Sequence, residues 1–188
     1  MKKIVLVDAS PRQGGNSEIV VDTLAEALAG CEVTIFKMRE KDCRFCRACA
    51  ACQGKETQMC VQRDDITALL PVIDQCDAIV MATPIYNQQI TAQAKLFIER
   101  WYPFFNREKK NWSNTSRQGK KAALVCSFWG SPKDIVKKYA DWTVSGFSQI
   151  GAEETRTLIF DHIPGRGEIR SRPDYIAQLR ELARWLAE

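Results

Sequence analysis

Residues 3–29 have the sequence KIVLVDASPRQGGNSEIVVDTLAEALA, and this stretch decides the fold of the chain. An apolar run, a polar glycine-containing loop and an amphipathic run predict a strand, a loop and a helix. The free N–H groups and the positive dipole end of a helix favour an anion at such a loop. Ser10, Asn16 and Ser17 add neutral donors, and Arg12 adds a forked charged donor. We therefore predict a phosphate site; the alternative is an ordinary turn capped by Asn16 or Ser17.

The rest of the chain continues this alternation of strands and helices. Predicted strands cover residues 3–7, 32–36, 78–82, 122–127 and 155–160; predicted helices cover residues 16–29, 64–75, 91–101, 133–150 and 173–187. Nearly continuous apolar runs in the first, third and fourth strands are typical of parallel strands covered on both faces. The predicted fold class is therefore α/β, a flavodoxin-like three-layer sandwich with a five-stranded parallel sheet in the order 2-1-3-4-5. With 188 residues, we expect a single domain, residues 1–188, with a cysteine-rich insertion at about residues 43–60.

This strand order predicts a ligand crevice at the carboxyl ends of strands 1 and 3, where the topology reverses. The loop after strand 3 offers an apolar and aromatic wall with a polar edge, which suits a flat heteroaromatic ring. A plain turn with a core tyrosine is the alternative. A further loop, after strand 4, lies beside the same crevice, and its Trp129 either shields a ring or caps the core. The candidate ring-binding residues of the two loops are Pro84, Ile85, Tyr86, Asn87, Ser127 and Trp129.

Five of the eight cysteines fall within residues 43–60, a density that composition alone does not explain. Cys43, Cys46, Cys49 and Cys52 form three overlapping CxxC units, and Cys60 follows after seven residues. Such spacing brings thiolates within reach of one centre, as in iron–sulfur and zinc sites. An iron–sulfur cluster, zinc, and free or redox-active thiols all remain open on spacing alone.

The bulk properties exclude several classes of protein. The net charge of +4 is too small and diffuse to predict a nucleic-acid partner. No apolar run approaches the ~20 residues of a membrane span, so we expect no membrane partner. We expect a cytoplasmic protein whose cysteines are reduced unless they bind something.

Three features together resemble the NAD(P)H-dependent FMN reductase and iron–sulfur flavoprotein group of the flavodoxin-like superfamily. They are the segment Ser-Pro-Arg-x-x-Gly-Asn-Ser at residues 10–17, the cysteine cluster leading into Asp64 and Asp65, and Thr-Pro-Ile-Tyr at residues 83–86 before a helix with Lys95 and Arg100. The likeness covers residues 3 to about 130. Ala9 departs from the family pattern, which usually has glycine before the serine.

The resemblance implies an FMN-dependent oxidoreductase that takes hydride from NAD(P)H and passes electrons to a small acceptor: a quinone, an azo or nitro compound, a flavin or a ferric complex. Ser10, Arg12, Asn16 and Ser17 would hold the FMN phosphate, and residues 84–87 would border the isoalloxazine ring. No catalytic side chain is expected, because the flavin carries the chemistry. A homodimer or homotetramer is also implied.

For the cysteines, the resemblance implies a [4Fe–4S] cluster on Cys46, Cys49, Cys52 and Cys60, with Cys43 as an alternative ligand. One rival function is therefore an iron–sulfur flavoprotein that relays electrons from ferredoxin through this cluster. Another is a non-catalytic flavodoxin-type electron carrier, against which the charge of +4 argues because such carriers are acidic. A zinc-stabilised interaction module is a more distant alternative.

Overall fold

The computed structural model describes residues 1–53, 59–106 and 113–188, so residues 54–58 of the predicted cysteine-rich insertion lie outside the described residues. The strands are β1 (Lys3–Asp8), β2 (Glu32–Lys37), β3 (Ala78–Tyr86), β4 (Gln89–Ile90), β5 (Lys120–Ser127) and β6 (Ala152–Phe160). The α-helices are α1 (Asn16–Ala27), α2 (Asp65–Gln75), α3 (Ala92–Glu99), α4 (Lys133–Ser145) and α5 (Pro173–Ala187).

The five long strands form a parallel sheet in the order β2-β1-β3-β5-β6, and β4 pairs with β3 in antiparallel register. The predicted fold class is confirmed. The parallel sheet has the five strands that the sequence predicted, and the two-residue antiparallel β4, which the sequence did not predict, shifts the numbering of the strands that follow. The order in which successive long strands are added to the sheet still reverses between β1 and β3, so the switch-point crevice lies between their carboxyl ends.

The segment after β3 is a hairpin rather than the loop that the sequence predicted. The strand continues to Tyr86, and Ile85 pairs with Ile90 on β4. Asn87 and Gln88 both have positive φ angles, 48° and 65°. Positive φ at both central residues is what a two-residue turn matching the strand twist requires, and asparagine tolerates it well.

The sheet separates two hydrophobic cores. On β1, Val5 and Val7 pack with residues of α2, α3 and α4, whereas Ile4 and Leu6 pack with residues of α1 and α5. Because successive side chains of a strand point to opposite faces, the apolar residues 4–7 of one strand supply both cores. The helices thereby form the two outer layers of the sandwich.

Within the three described ranges, no helix is both long enough and apolar enough to cross a bilayer.

Candidate functional site

A cavity of about 250 Å³ opens at the carboxyl ends of β1, β3 and β5. It gathers the loop after β1, the start of the hairpin, the loop after β5 and a loop after β6. Its lining is Ser10, Arg12, Gly15, Asn16, Ser17, Pro84, Ile85, Tyr86, Ser127, Phe128, Trp129, Ile163, Pro164, Gly165 and Arg166. The cavity therefore brings together the predicted cofactor residues from three loops. Asn87 alone among them is not in the lining, and it lies exposed in the turn of the hairpin.

The polar end of this cavity is the N-terminus of α1. Gly15 is the N-cap residue, and no side chain of the described residues caps the helix. Neither Asn16 nor Ser17 caps the helix, so the alternative of an ordinary capped turn was wrong. The Ser17 hydroxyl is buried and has no hydrogen-bond partner within the described ranges. An uncapped helix start with a free hydroxyl beside it suits an anion, because the helix dipole and unpaired donors point to the same place.

The loop after β6 forms the side of the cavity that the sequence did not predict. The Arg166 guanidinium lies over the loop after β1, residues 9–15, which is the predicted phosphate loop. Its Nη2 donates to the Gln13 carbonyl. Gly14 has a φ of +63°, and a Cβ there would lie 3.1 Å from Arg166 Nη2. Asn16 joins the two loops: its Nδ2 donates to Gly165 O at 2.9 Å, and its Oδ1 accepts from the Ile169 N–H at 3.2 Å. Asn16 therefore fixes the loop after β6, although the sequence suggested that it binds phosphate directly.

Buried charges hold the phosphate loop from below. Asp8 accepts the Ser10 N–H at 3.0 Å and pairs with Arg39, and its side chain is fully buried. Burial raises the pKa of Asp8, and the Ser10 N–H and Arg39 oppose that rise. Glu18 pairs with Arg39 at 2.9 Å and with Lys37 at 2.7 Å. The carboxylates below the loop are thus neutralised by their own cations, and Arg12 and Arg166 remain above it.

The apolar end of the cavity has aromatic walls. Tyr86 is 39% exposed and Trp129 is 67% exposed, whereas Phe128 is buried. Exposed aromatic side chains beside a cleft offer large flat surfaces for a planar ligand. The cavity therefore combines an anion site with a ring-binding surface, as a phosphorylated heteroaromatic cofactor requires.

A second, smaller cavity of about 20 Å³ lies among the cysteines. Cys46, Cys49, Cys52 and Cys60 all line it, together with Arg100 from the end of α3. The Ala48 N–H donates to Cys46 Sγ at 3.4 Å. Ala48 and Ala50 both have positive φ angles, 50° and 53°, which non-glycine residues adopt at a cost. The loop thus turns sharply twice, and it brings four cysteine residues to the wall of one cavity.

Cys43 lies apart from this cavity. Its Sγ donates to Met38 O at 3.8 Å, and burial raises the pKa of its thiol to about 11, with Asp64, Asp65 and Asp42 adding to the effect. A donor set of four thiols fits an iron–sulfur cluster or zinc by its chemistry. Within the described part of the chain, however, no group of three or more His, Cys, Asp or Glu side chains is already spaced to hold a metal ion.

The sequence model of the NADPH-dependent FMN reductase family matches residues 2–136. The chain belongs to this family. An iron-sulfur flavoprotein of Archaeoglobus fulgidus is 36% identical over 107 residues, which cover 56% of this chain and 48% of that protein. An iron-sulfur flavoprotein of Methanosarcina thermophila is 25% identical over 142 residues, which cover 74% of this chain and 72% of that protein. The chain thus spans about half the length of the first of these curated relatives.

A solved NAD(P)H:quinone oxidoreductase from Methanothermobacter marburgensis has the same fold, with a TM-score of 0.75. The likeness covers 100% of this chain and 98% of that chain at 16% sequence identity. At this identity the likeness shows the fold alone.

Proposed function

We propose that this chain is an FMN-dependent oxidoreductase that takes hydride from NAD(P)H and passes electrons to a small acceptor. The observation that carries the proposal is the buried Ser17 hydroxyl, which has no partner in the described ranges at an uncapped helix start inside an aromatic-walled cavity. A buried hydroxyl without a partner is costly, and a phosphate oxygen would satisfy it. Membership of the FMN reductase family supports the same cofactor.

The residues of the cavity have distinct parts in this proposal. Ser17 and the first N–H groups of α1 would bind the FMN phosphate, and Arg12 and Arg166 would neutralise its charge. Tyr86 and Trp129 would border the ring. The bound flavin supplies two-electron redox chemistry, and the protein orients the ring and leaves one face open to donor and acceptor. A quinone, an azo or nitro compound, free flavin and a ferric complex are the proposed classes of acceptor.

FMN titration of the full chain tests the phosphate site. Ser17→Ala removes one hydrogen bond to a charged group, so we expect FMN affinity to fall about 10- to 100-fold. Ser145→Ala is the matched control, since its hydroxyl donates only locally, to Trp142 O on α4. Equal FMN affinities in all three proteins would place the phosphate elsewhere, and a wild-type protein that takes up no FMN would defeat the proposal.

Anaerobic mixing tests the hydride donor. When NADH or NADPH is added to the FMN-loaded protein without oxygen, we expect the absorption of the oxidised flavin to disappear. An FMN-loaded protein that neither nicotinamide reduces would not be an NAD(P)H oxidoreductase.

The four cysteines that line one cavity favour a second candidate function: an iron–sulfur flavoprotein that relays electrons from ferredoxin. Cys46, Cys49, Cys52 and Cys60 would hold a [4Fe–4S] cluster in this proposal. The relatives named iron-sulfur flavoproteins support it. Protein reconstituted anaerobically with ferrous iron and sulfide should contain about four of each per chain and show a broad absorption that bleaches on reduction. Flavin reduced by ferredoxin but not by NAD(P)H would favour the relay over the NAD(P)H oxidoreductase.

A further inference from the structure

Arg100 is a buried cation at the edge of the cysteine cavity. It is the C-cap residue of α3, and its side chain is 1% exposed. Its Nη1 donates to Arg44 O at 2.7 Å and pairs with Asp64 Oδ2. Its Nη2 donates to Asp64 Oδ1 at 3.0 Å and to Thr67 Oγ1 at 2.7 Å. These bonds fix the guanidinium plane between the start of α2 and the cysteine loop, which is the segment that carries Arg44 and the cavity-lining cysteines.

The remaining donor of the guanidinium is Nε. It is buried, and within the described ranges it has no hydrogen-bond partner. The same side chain lines the cavity together with Cys60. Asp64 and then Cys60 raise the pKa of Arg100, and they outweigh the opposing effect of burial. A fixed, unpaired and buried N–H therefore lies beside one of the proposed cluster ligands.

We propose that Arg100 is a positioning residue for the cysteine site, whose Nε–H donates to the sulfur of Cys60 when the site holds its [4Fe–4S] cluster. The inference rests on the cluster proposed above. Hydrogen bonds to cluster sulfurs and nearby positive charge both stabilise the electron-rich form, so they raise the reduction potential. Burial strengthens both effects because water does not screen them.

A purely structural role for Arg100 makes a different prediction. If the side chain only neutralised Asp64, its replacement would lower the stability of the fold and leave the potential of a bound cluster unchanged. The reduction potential therefore separates the two roles. Lysine is the informative substitution because it keeps the positive charge but lacks the rigid fork and the Nε–H group.

The experiment compares wild type, Arg100→Lys and the control Arg44→Lys. Arg44 carries the same group on the same loop, but its side chain is 59% exposed and pairs with Asp42 in solvent. Each full-length protein is reconstituted anaerobically with ferrous iron and sulfide, assayed for both, and titrated with dithionite while EPR follows the reduced cluster. We expect R100K to lower the reduction equilibrium constant about tenfold, which is about 59 mV for one electron, and R44K to match wild type.

A second readout uses proteins that keep Arg100. Arginine labelled with ¹⁵N in the guanidino group should give a nitrogen coupling to the reduced cluster in pulsed EPR, both in wild type and in Arg47→Lys. The R47K variant removes the other arginine that lines the cavity. Loss of the coupling in R47K, or its absence in wild type, would overturn the assignment even if R100K did not fold.

The remaining outcomes are equally decisive. A cluster of unchanged potential in R100K would overturn the role of Arg100 and leave the proposed function intact. A wild-type chain that binds no iron and sulfide would overturn the proposed cluster together with this inference.

Discussion

The buried pair of Asp64 and Arg100 predicts how stability depends on pH. The Asp64 side chain is fully buried, and it accepts hydrogen bonds from the Thr67 N–H at 2.9 Å, the Arg44 N–H at 3.1 Å and both terminal nitrogens of Arg100. Burial alone would raise the pKa of this carboxyl, but Arg100 and the N–H donors outweigh it and lower the pKa from 3.8 to about 2. The difference, at about 1.4 kcal/mol per pKa unit, corresponds to about 2 kcal/mol of stability.

The sign of the effect follows from the lowered pKa. Because the folded state favours the carboxylate, this contribution is fully present above about pH 5, is about half lost by pH 3 and is gone below about pH 2. Asp64→Asn should lack the pH-dependent part. At pH 7 the variant should be about 3–5 kcal/mol less stable than wild type, since Arg100 then keeps a buried charge without a counter-ion. Asparagine still caps α2 well, so the loss of the cap contributes little.

Urea unfolding followed by circular dichroism from pH 7 to pH 3 measures both effects. The free energy difference between wild type and D64N should shrink by about 1 kcal/mol over this range. Asp65→Asn is the control: it removes the same charge one residue along, from a side chain that accepts the Asp42 N–H at 2.8 Å. Parallel pH profiles for wild type and D64N would refute the reasoning, because they would mean that the carboxylate gains nothing from Arg100.

Three other substitutions test the loops and the core. Ala50→Gly should raise the free energy of unfolding by about 1 kcal/mol, since Ala50 has a φ of 53°; urea unfolding measures this, and an equal gain in the control Ala51→Gly would contradict it. Thr91→Val removes the buried bond from Thr91 Oγ1 to Ala9 O, 2.7 Å long, and the N-cap bond that Oγ1 accepts from the Ala94 N–H at 3.2 Å. We therefore expect a loss of about 2–3 kcal/mol in the same assay, and a loss below about 0.5 kcal/mol would count against it. Burial lowers the pKa of Lys120, so the unfolded chain binds more protons than the folded chain, and the stability of wild type should rise between pH 7 and pH 10. Lys120→Met should lack this gain in stability. An equal rise in the variant would exclude Lys120 as its source.

The regular part of the fold could be predicted because its signals are local. β1 and α1 begin at the predicted residues, and α5 matches residues 173–187, since apolar runs bounded by loop residues specify them. The hairpin could not be predicted in this way. Its turn is Asn87-Gln88 rather than a glycine turn, and Pro84 within β3 argues against a strand. The segment forms a strand because it pairs with β4, and this pairing is a contact of the folded chain rather than a local signal.

The candidate site shows the same division. The strand-order rule correctly brings the loops after β1, β3 and β5 to one crevice, so most of the candidate residues meet. Arg166 was missed because it lies more than 150 residues from the phosphate loop that it covers. The one signal that could have found it is its place in Ile163-Pro164-Gly165-Arg166-Gly167, a loop at the carboxyl end of the last parallel strand. Asn16 has the residue type of a phosphate donor, but its contacts are to that same loop.

The spacing of the cysteines is a local signal in the sequence. The contacts that the cysteine loop makes with Arg100 are not, because they join residues far apart in the chain. The four cysteines that the family resemblance implied line one cavity, and Cys43 lies apart from it. Arg100 carries no sequence signal for its contacts with the loop. A guanidinium at the end of a helix is usually exposed, whereas contacts with residues distant in sequence, among them Asp64 and Thr67, accompany the burial of this one.

The helix α3 connects the surroundings of the two cavities through a hydrogen bond at each of its ends. At its start, Thr91 donates to Ala9 O beside the phosphate loop; just past its end, Arg100 donates to Arg44 O in the cysteine loop. These residues lie about 13 Å apart along the helix axis at 1.5 Å per residue. Backbone groups that lack ladder partners must find other donors and acceptors, and here the ends of one stiff helix provide them. The separation of the candidate flavin and cysteine sites is therefore set by the length of α3 rather than by the loops themselves.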